Sequence, residues 1–172
     1  MIIDYREKEL IRLLPNEQTK NLPVADIWIS VTENQMPSEG GILIERKTIT
    51  DFEASFLDGR YREQRTRLLA FAHENKASPM YILEGNINVT RSTEPATLQQ
   101  LLNRLQLRYK ITVMVTDSAA STAKLCQLLE KQLQTDPKCF IYEQVAYDQT
   151  IHVKKKDNQS DFVTVSVQLS PD

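Results

Sequence analysis

Two rhythms of apolar residues run along this chain, one of period two and one close to 3.6. Leu10, Leu13 and Leu14 give helical spacing over Arg6 to Leu14, and Pro15-Asn16 ends it. Val24 to Val31 alternates, with Ile27, Ile29 and Val31 on one face and Asp26 and Trp28 on the other, which predicts a strand. A turn over Asn34 to Gly41 then leads to a second strand, Ile42 to Arg46, closing a hairpin. Thr48 or Thr50 is placed to cap a helix carrying Phe52, Phe56 and Leu57, with Asp51 and Glu53 in its first turn. Asp58-Gly59 breaks it, and a second helix runs from near Arg60 to about Asn75 with Leu68, Leu69, Phe71 and Ala72 inward. Pro79 to Glu84 is an apolar run bounded by Gly85, a buried strand. Thr97 opens a helix with Leu98, Leu101, Leu102 and Leu105; Ile111 to Val115 is another strand. Ser118 or Ser121 caps a helix through about Gln134 whose core face is Leu125, Leu128, Leu129 and Leu133.

Strands alternating with helices predict an α/β layer with helices on both faces of a mixed sheet. The pattern fades from about Tyr147. Lys154-Lys155-Lys156-Asp157-Asn158 reads as a solvated charged stretch, with a lesser claim to steering DNA, and Phe162 to Leu169 fits either a strand or a helix start. This divides the chain into a domain over residues 1–145 and an extension over 146–172.

Composition narrows the function. With 172 residues, 41% hydrophobic and 26% charged, the chain is the size and balance of one globular domain. No apolar run nears the roughly 20 residues that span a bilayer, and Met1 to Arg6 lacks the pattern of a signal peptide, so an intracellular protein without a membrane partner is expected. Cys126 and Cys139, with His73 and His152, make no metal-ligand spacing; any metal here would be hard and oxygen-ligated rather than zinc. The net charge of −2 excludes nucleic-acid binding by global charge, so a DNA partner requires basic side chains concentrated locally.

The chemistry concentrates in Ile42-Leu43-Ile44-Glu45-Arg46-Lys47, followed by Asp51. On a strand Glu45 and Lys47 share a face, and Asp26 on the neighbouring strand can approach it. Two carboxylates and an ammonium are what metal-assisted phosphodiester hydrolysis needs: carboxylates hold a divalent ion, the ion polarises a phosphoryl oxygen and acidifies water, and the lysine orients or deprotonates the nucleophile or offsets developing charge. Asp4 and Glu7 form a second pair, three apart at the junction of the first strand and helix, that could hold a second ion. Charges at strand ends are also common surface furniture, but an acid closing an apolar run is costly unless paired or metal-bound.

These residues resemble a known family. Glu45-Arg46-Lys47 with Asp51 is similar to the ERKxxxD signature of XPF-type nucleases. Leu22-Pro23-Val24-Ala25-Asp26 resembles that family's L-x-x-G-D segment, and Ile3-Asp4-Tyr5-Arg6-Glu7 its opening V-D-x-R-E. Ser55-Phe56-Leu57-Asp58-Gly59-Arg60-Tyr61 with Gln64-Arg65 resembles its S-L-x-x-G-R element, and Tyr81-Ile82-Leu83-Glu84 its L-L-I-E strand. The resemblance covers roughly residues 1 to 145 and implies a restriction-endonuclease-like fold of the PD-(D/E)XK type, Mg²⁺ or Mn²⁺, and incision of branched DNA such as flaps and forks. It implies Asp26, Glu45 and the backbone carbonyl of Arg46 at one metal, Asp4 and Glu7 with Asp26 at a second, Lys47 as catalytic lysine, and Asp51 and Arg60 in support. Arg60 and Arg65 are expected to contact phosphate; Arg62 and Arg67 are expected to be solvated. Trp28 should cover one side of the sheet, base stacking being the lesser alternative. The family's late helices and strands dimerise, so a homodimer or a heterodimer with a related subunit is expected.

Two departures stand out. The family glycine before the aspartate is Ala25; if left-handed freedom is needed there the strand start is altered, and if only small size is needed alanine suffices. Nothing after Lys156 carries the glycine-rich helix-hairpin-helix motifs that usually follow. Two rivals therefore stand beside the endonuclease: a non-catalytic DNA-binding or dimerisation subunit of the same fold, and a phosphodiesterase for small nucleotides.

Overall fold

The computed structural model describes residues 1–33, 35–143, 147–154 and 162–169, which fall into two compact units, Met1–Ile141 and Tyr142–Asp172. The first unit holds a six-stranded sheet in the order β2-β1-β3-β4-β5-β6, with β1 Ile2–Asp4, β2 Gln18–Lys20, β3 Ile27–Ile29, β4 Ile42–Thr48, β5 Ser78–Glu84 and β6 Thr112–Thr116. Strands β3 and β4 form the expected antiparallel hairpin, pairing Ile27 with Ile44 and Ile29 with Ile42. β5 and β6 follow in parallel, and parallel neighbours need crossover connections. The sheet is mixed.

Helices cover both faces. Helices α1 (Lys8–Leu13) and α5 (Ala119–Thr135) pack on Ile27, Ile29, Ile42, Ile44 and Ile82. On the other face α2 (Ile49–Leu57), α3 (Arg60–Asn75) and α4 (Pro95–Leu107) pack on Trp28, Leu43, Tyr81 and Leu83. The opposite directions of Ile27 and Trp28 are the period-two consequence of strand geometry. Phe52 is fully buried and meets Tyr61 and Tyr81 edge to face at 5.4 and 5.9 Å, which pins α2 and α3 to the sheet.

The local signals explain most boundaries. Thr48 caps α2 by accepting from the Asp51 amide at 3.1 Å, and Ser118 caps α5 through the Ser121 amide. Gly59 sits at φ 83, the left-handed conformation that separates α2 from α3. α4 starts two residues before the expected Thr97, because Pro95 takes the first helical position after an extended Glu94. β3 is shorter than Val24–Val31 because Ala25 is left-handed, at φ 67. The three-residue β2 was not legible: Gln18-Thr19-Lys20 is polar and exists only through parallel pairing with β1.

Leu128 is exposed, so the expected core face of α5 reduces to Leu129 and Leu133 with Leu125 partly buried. Trp28 is buried, stacked on Phe71 at 5.7 Å with its indole N–H donating to the Val24 carbonyl at 2.9 Å; it covers the sheet and cannot stack on a base. Cys126 and Cys139 are free thiols, and burial pushes Cys126 up to about 12. No helix among the described residues is long and apolar enough to cross a membrane.

The second unit contains an antiparallel pair, β7 Tyr147–Lys154 and β8 Phe162–Leu169, matching Tyr147 to Leu169 and Lys154 to Phe162. Cross-strand pairing thus decides for strand at Phe162–Leu169. Residues 155–158 of the lysine-rich stretch lie outside the described residues.

Candidate active site

The site forms where the ends of β1 and β4 meet the chain before β3. The left-handed turn at Ala25 swings Asp26 between them: its amide donates to the Ile44 carbonyl at 2.8 Å, and its carbonyl accepts from the Asp4 amide at 2.8 Å. The Asp26 carboxyl is then held by the Arg46 amide, which donates to Oδ2 at 2.8 Å. Alternation along β4 sends Glu45 and Lys47 to the α3 side and Arg46 to the α5 side, continuing Leu43 and Ile44 respectively.

Glu7, Asp26, Glu45, Arg46, Lys47 and Asp51 line one cleft of about 320 Å³. The structure therefore brings together six of the nine residues singled out for catalysis, metal or phosphate. Arg6, Gln64 and Arg67 also line it. Arg67 was expected to be merely solvated; it reaches the Pro23 carbonyl at 3.0 Å, and its charge lowers the Glu45 carboxyl. Gln64 Oε1 is buried with no partner among the described residues. The spacing Gln64–Arg67, one helical turn on α3, was the signal that could have found both.

Asp4, Arg60 and Arg65 stand elsewhere. Asp4 is fully buried and accepts from the Arg6 amide (3.0 Å), Arg6 Nε (2.7 Å) and the Leu22 amide (2.9 Å). Burial alone would raise its carboxyl, but these bonds and the Arg6 charge hold it below the usual range. Its oxygens are committed to bracing the chain behind the cleft. Arg60 is exposed and donates to Asp58 at 2.7 Å, away from the acids. Arg65 is buried on the opposite flank of α3.

The acids are electrostatically loaded. Burial, and then the negative charge of Glu45, push Asp26 up to about 8, against the Arg46 amide and Lys47. Burial likewise raises Glu45, with Asp26 and Lys47 opposing. Burial and Asp26 also raise Glu7, against its bond to Arg46. On the far face the Arg46 guanidinium grips Glu84 through Nε (2.5 Å) and Nη2 (2.8 Å) and Glu7 through Nη1 (2.6 Å), which raises its own pKa further despite burial. In the sequence Glu84 is only the end of a strand; nothing local pairs it with Arg46.

A hard divalent cation fits Asp26 and Glu45. Two partly buried carboxyls forced to share a proton are what such an ion relieves, and oxygen donors suit it. No three His, Cys, Asp or Glu side chains among the described residues are grouped to hold a metal, so an ion on Asp26 and Glu45 would need water and phosphate to complete its shell. A second ion on Asp4 and Glu7 does not fit: Asp4 is saturated and Glu7 is paired with Arg46.

A mixed sheet with helices on both faces, whose hairpin strand carries an acid and a lysine beside the aspartate before its partner, defines the restriction-endonuclease-like class. The model of the ERCC4 domain matches residues 3–129, and the chain belongs to this family, which bears out the resemblance to XPF-type nucleases. The chain is 31% identical over 139 residues to the human "Structure-specific endonuclease subunit MUS81", covering 74% of this chain and 25% of that protein. It is 26% identical over 122 residues to "Probable crossover junction endonuclease mus81" of Dictyostelium discoideum, covering 70% of this chain and 13% of that one. Among solved structures, XPF from Aeropyrum pernix superposes with a TM-score of 0.62 at 29% identity, covering 93% of this chain and 68% of that chain. Its complex with DNA gives 0.59 at 30% identity, covering 80% and 66%. The chain thus spans a quarter or less of the length of the two named sequence relatives.

Proposed function

We propose that this domain is a divalent-metal-dependent, intracellular endonuclease that hydrolyses phosphodiester bonds in branched DNA. The observation that carries the reading is the Asp26–Glu45 pair, its pKa values driven up, facing Lys47 across one cleft. The relatives' names support it: the human protein is a structure-specific endonuclease subunit, and the archaeal XPF was solved with DNA.

Mg²⁺ or Mn²⁺, when bound, supplies Lewis-acid stabilisation of the phosphoryl oxygen and acidifies water. Asp26 and Glu45, with the Arg46 carbonyl, are the residues that would hold it, and binding requires Asp26 to release its proton. Lys47 lies on the same strand face, positioned to orient the nucleophile or to offset the charge that develops on the phosphorane-like oxygens. Gln64 Oε1, a buried acceptor without a partner on the cleft wall, suits a hydrogen bond from the attacking water. Arg67 is placed to contact a phosphate beside the scissile one, and Asp51 to steady Lys47. The exposed Leu128 on α5 belongs to the same reading: pairing with a second copy or a related subunit, in keeping with the word "subunit" in the human relative's name.

The test is cleavage of labelled 3′-flap, fork and plain duplex DNA with Mg²⁺, with Mn²⁺ and with chelator, comparing the native chain with Asp26→Asn. Metal-dependent cutting near the branch, lost in the variant, is the expected result. A folded native chain that cuts nothing with either ion, alone or with an added partner subunit, rejects it in favour of a non-catalytic module.

A further inference from the structure

Helix α3 faces two cavities. Gln64 and Arg67 line the acidic cleft, whereas Tyr61, Arg62 and Arg65 turn to the other flank. There they meet Arg104, Arg108 and Tyr109 from α4 and the residues just after it, around a second cavity of about 300 Å³. Helix α3 and the C-terminal end of α4 with the residue after it thus deliver four guanidinium groups to one place in a chain whose net charge is −2. None of the four has a carboxylate within ion-pair distance among the described residues: the arginines that do are Arg6, Arg46 and Arg60.

Arg65 makes the cavity unusual. Its residue is only 8% exposed, and its buried Nε has no hydrogen-bond partner among the described residues. An unpaired buried cation costs several kcal/mol. The rings compensate in part: the Arg65 guanidinium lies 4.0 Å from the centroid of Tyr109 and 5.3 Å from that of Tyr61, attractive cation–π contacts that strengthen when desolvated. Tyr109 also carries Arg108 at 5.6 Å. Rings over its face leave a guanidinium only its edge for polar contact, and that planar edge matches a phosphate or carboxylate in two-pronged fashion. Arg62, Arg104 and Arg108 are exposed around it, free to close on a ligand of more than one negative charge.

We propose that this cavity is a second phosphate-binding subsite, separate from the cleft, which takes a phosphate of the same DNA on the opposite flank of α3. The proposal rests on DNA being the substrate. A helix is about 10–12 Å across, so the subsite and the cleft hold different phosphates of the DNA. The chemistry common to an internal phosphodiester and a terminal phosphomonoester is an oxyanion on Arg65, and the test separates them.

The experiment uses the whole chain and the variant Arg104→Ala/Arg108→Ala, whose altered residues are exposed and outside the cleft. In chelator, anisotropy of a labelled 3′-flap DNA is followed against salt, with the strand end at the branch carrying a 5′-phosphate or a 5′-hydroxyl. In parallel, the arginine Nε–H signals are followed as inorganic phosphate is added. Expected are a loss of at least about tenfold in affinity at 0.1 M salt, a salt slope reduced by about two contacts, and an Arg65 Nε–H signal that shifts with phosphate in the native chain and not in the variant. A preference for the 5′-phosphate assigns the subsite to a strand end, and equal binding assigns it to the internal backbone. Unchanged affinity, slope and phosphate response in a folded variant overturn the proposal. Failure of the nuclease reading is distinguishable: a chain that binds no DNA while phosphate still moves Arg65 keeps the anion pocket and loses the DNA.

Discussion

Asp26→Asn should make the metal-free protein more stable while abolishing its chemistry. In the folded chain Asp26 holds a proton that the unfolded chain has released between pH 3.8 and about 8. Stability from this group is therefore complete below 3.8 and falls as pH rises through the folded value. At about 1.4 kcal/mol per pH unit, keeping that proton at pH 7 costs the fold about 4 kcal/mol at most. A cleft open to water, with an effective dielectric constant near 20, brings this to roughly 1–3 kcal/mol. Asparagine keeps the shape of the protonated acid, carries no charge, and its carbonyl can still accept from the Arg46 amide. In chelator, thermal unfolding of the native chain should fall from pH 5.5 to 8.5, the variant should stay nearly flat, and the gap at pH 8 should reach roughly 3–10 °C for a domain of this size. Mg²⁺ should raise the native chain and leave the variant unmoved, and native Mg²⁺ affinity should rise with pH. Parallel pH curves in chelator, or a variant less stable than the native chain at pH 8, would refute the account of the acid pair.

Three further outcomes are expected. Lys47→Ala should slow metal-dependent cleavage by about 10²–10⁴-fold while preserving the Mg²⁺-induced rise in melting temperature, as read by single-turnover assays beside calorimetry. Glu84→Ala removes the two-pronged partner of Arg46, whose side chain is 12% exposed, leaving it Glu7 and Glu9, and should destabilise by about 1–3 kcal/mol in urea unfolding through the loss of charged hydrogen bonds. Ala25→Val should cost more than about 2 kcal/mol, since a β-branched residue is ill suited to φ 67 in a buried position, whereas Ala25→Gly should stay within about 1 kcal/mol of native, relief of strain being offset by unfolded-state entropy and a lost methyl.

The sequence made the catalytic strand legible because period two is unambiguous: an apolar run ending in Glu45 and Lys47 fixes both on one face whatever the rest of the fold does. The hairpin followed from the same logic, and with it the approach of Asp26. The spacing of Asp4 to Glu7 suggests a shared site, whereas the Asp4 carboxylate bonds in the fold to Arg6, two residues on, and to the Leu22 amide, which only the folded chain brings near. The expectation that Arg65 contacts phosphate carries no location by itself, but Tyr61, Arg65, Leu68 and Ala72 recur at helical spacing on one stripe and are the buried residues of α3. That stripe was readable and set Arg65 away from Arg67. The partnership of Arg46 with Glu84 joins two parallel strands across 38 residues, and no local pattern carries it.

The alternation of β4 makes its central arginine answerable to a different set of neighbours from those of the residues on either side. Glu45 and Lys47 answer to the cleft; the Arg46 guanidinium answers to Glu84 and to Glu7, an acid that also borders the cleft. Across descendants of this sequence, a change at position 46 should be tolerated only with compensating change at 84 or 7, and should drift independently of 67, the cleft arginine that faces Glu45. Three adjacent letters thus record two separate negotiations, conducted on opposite sides of a sheet one strand thick.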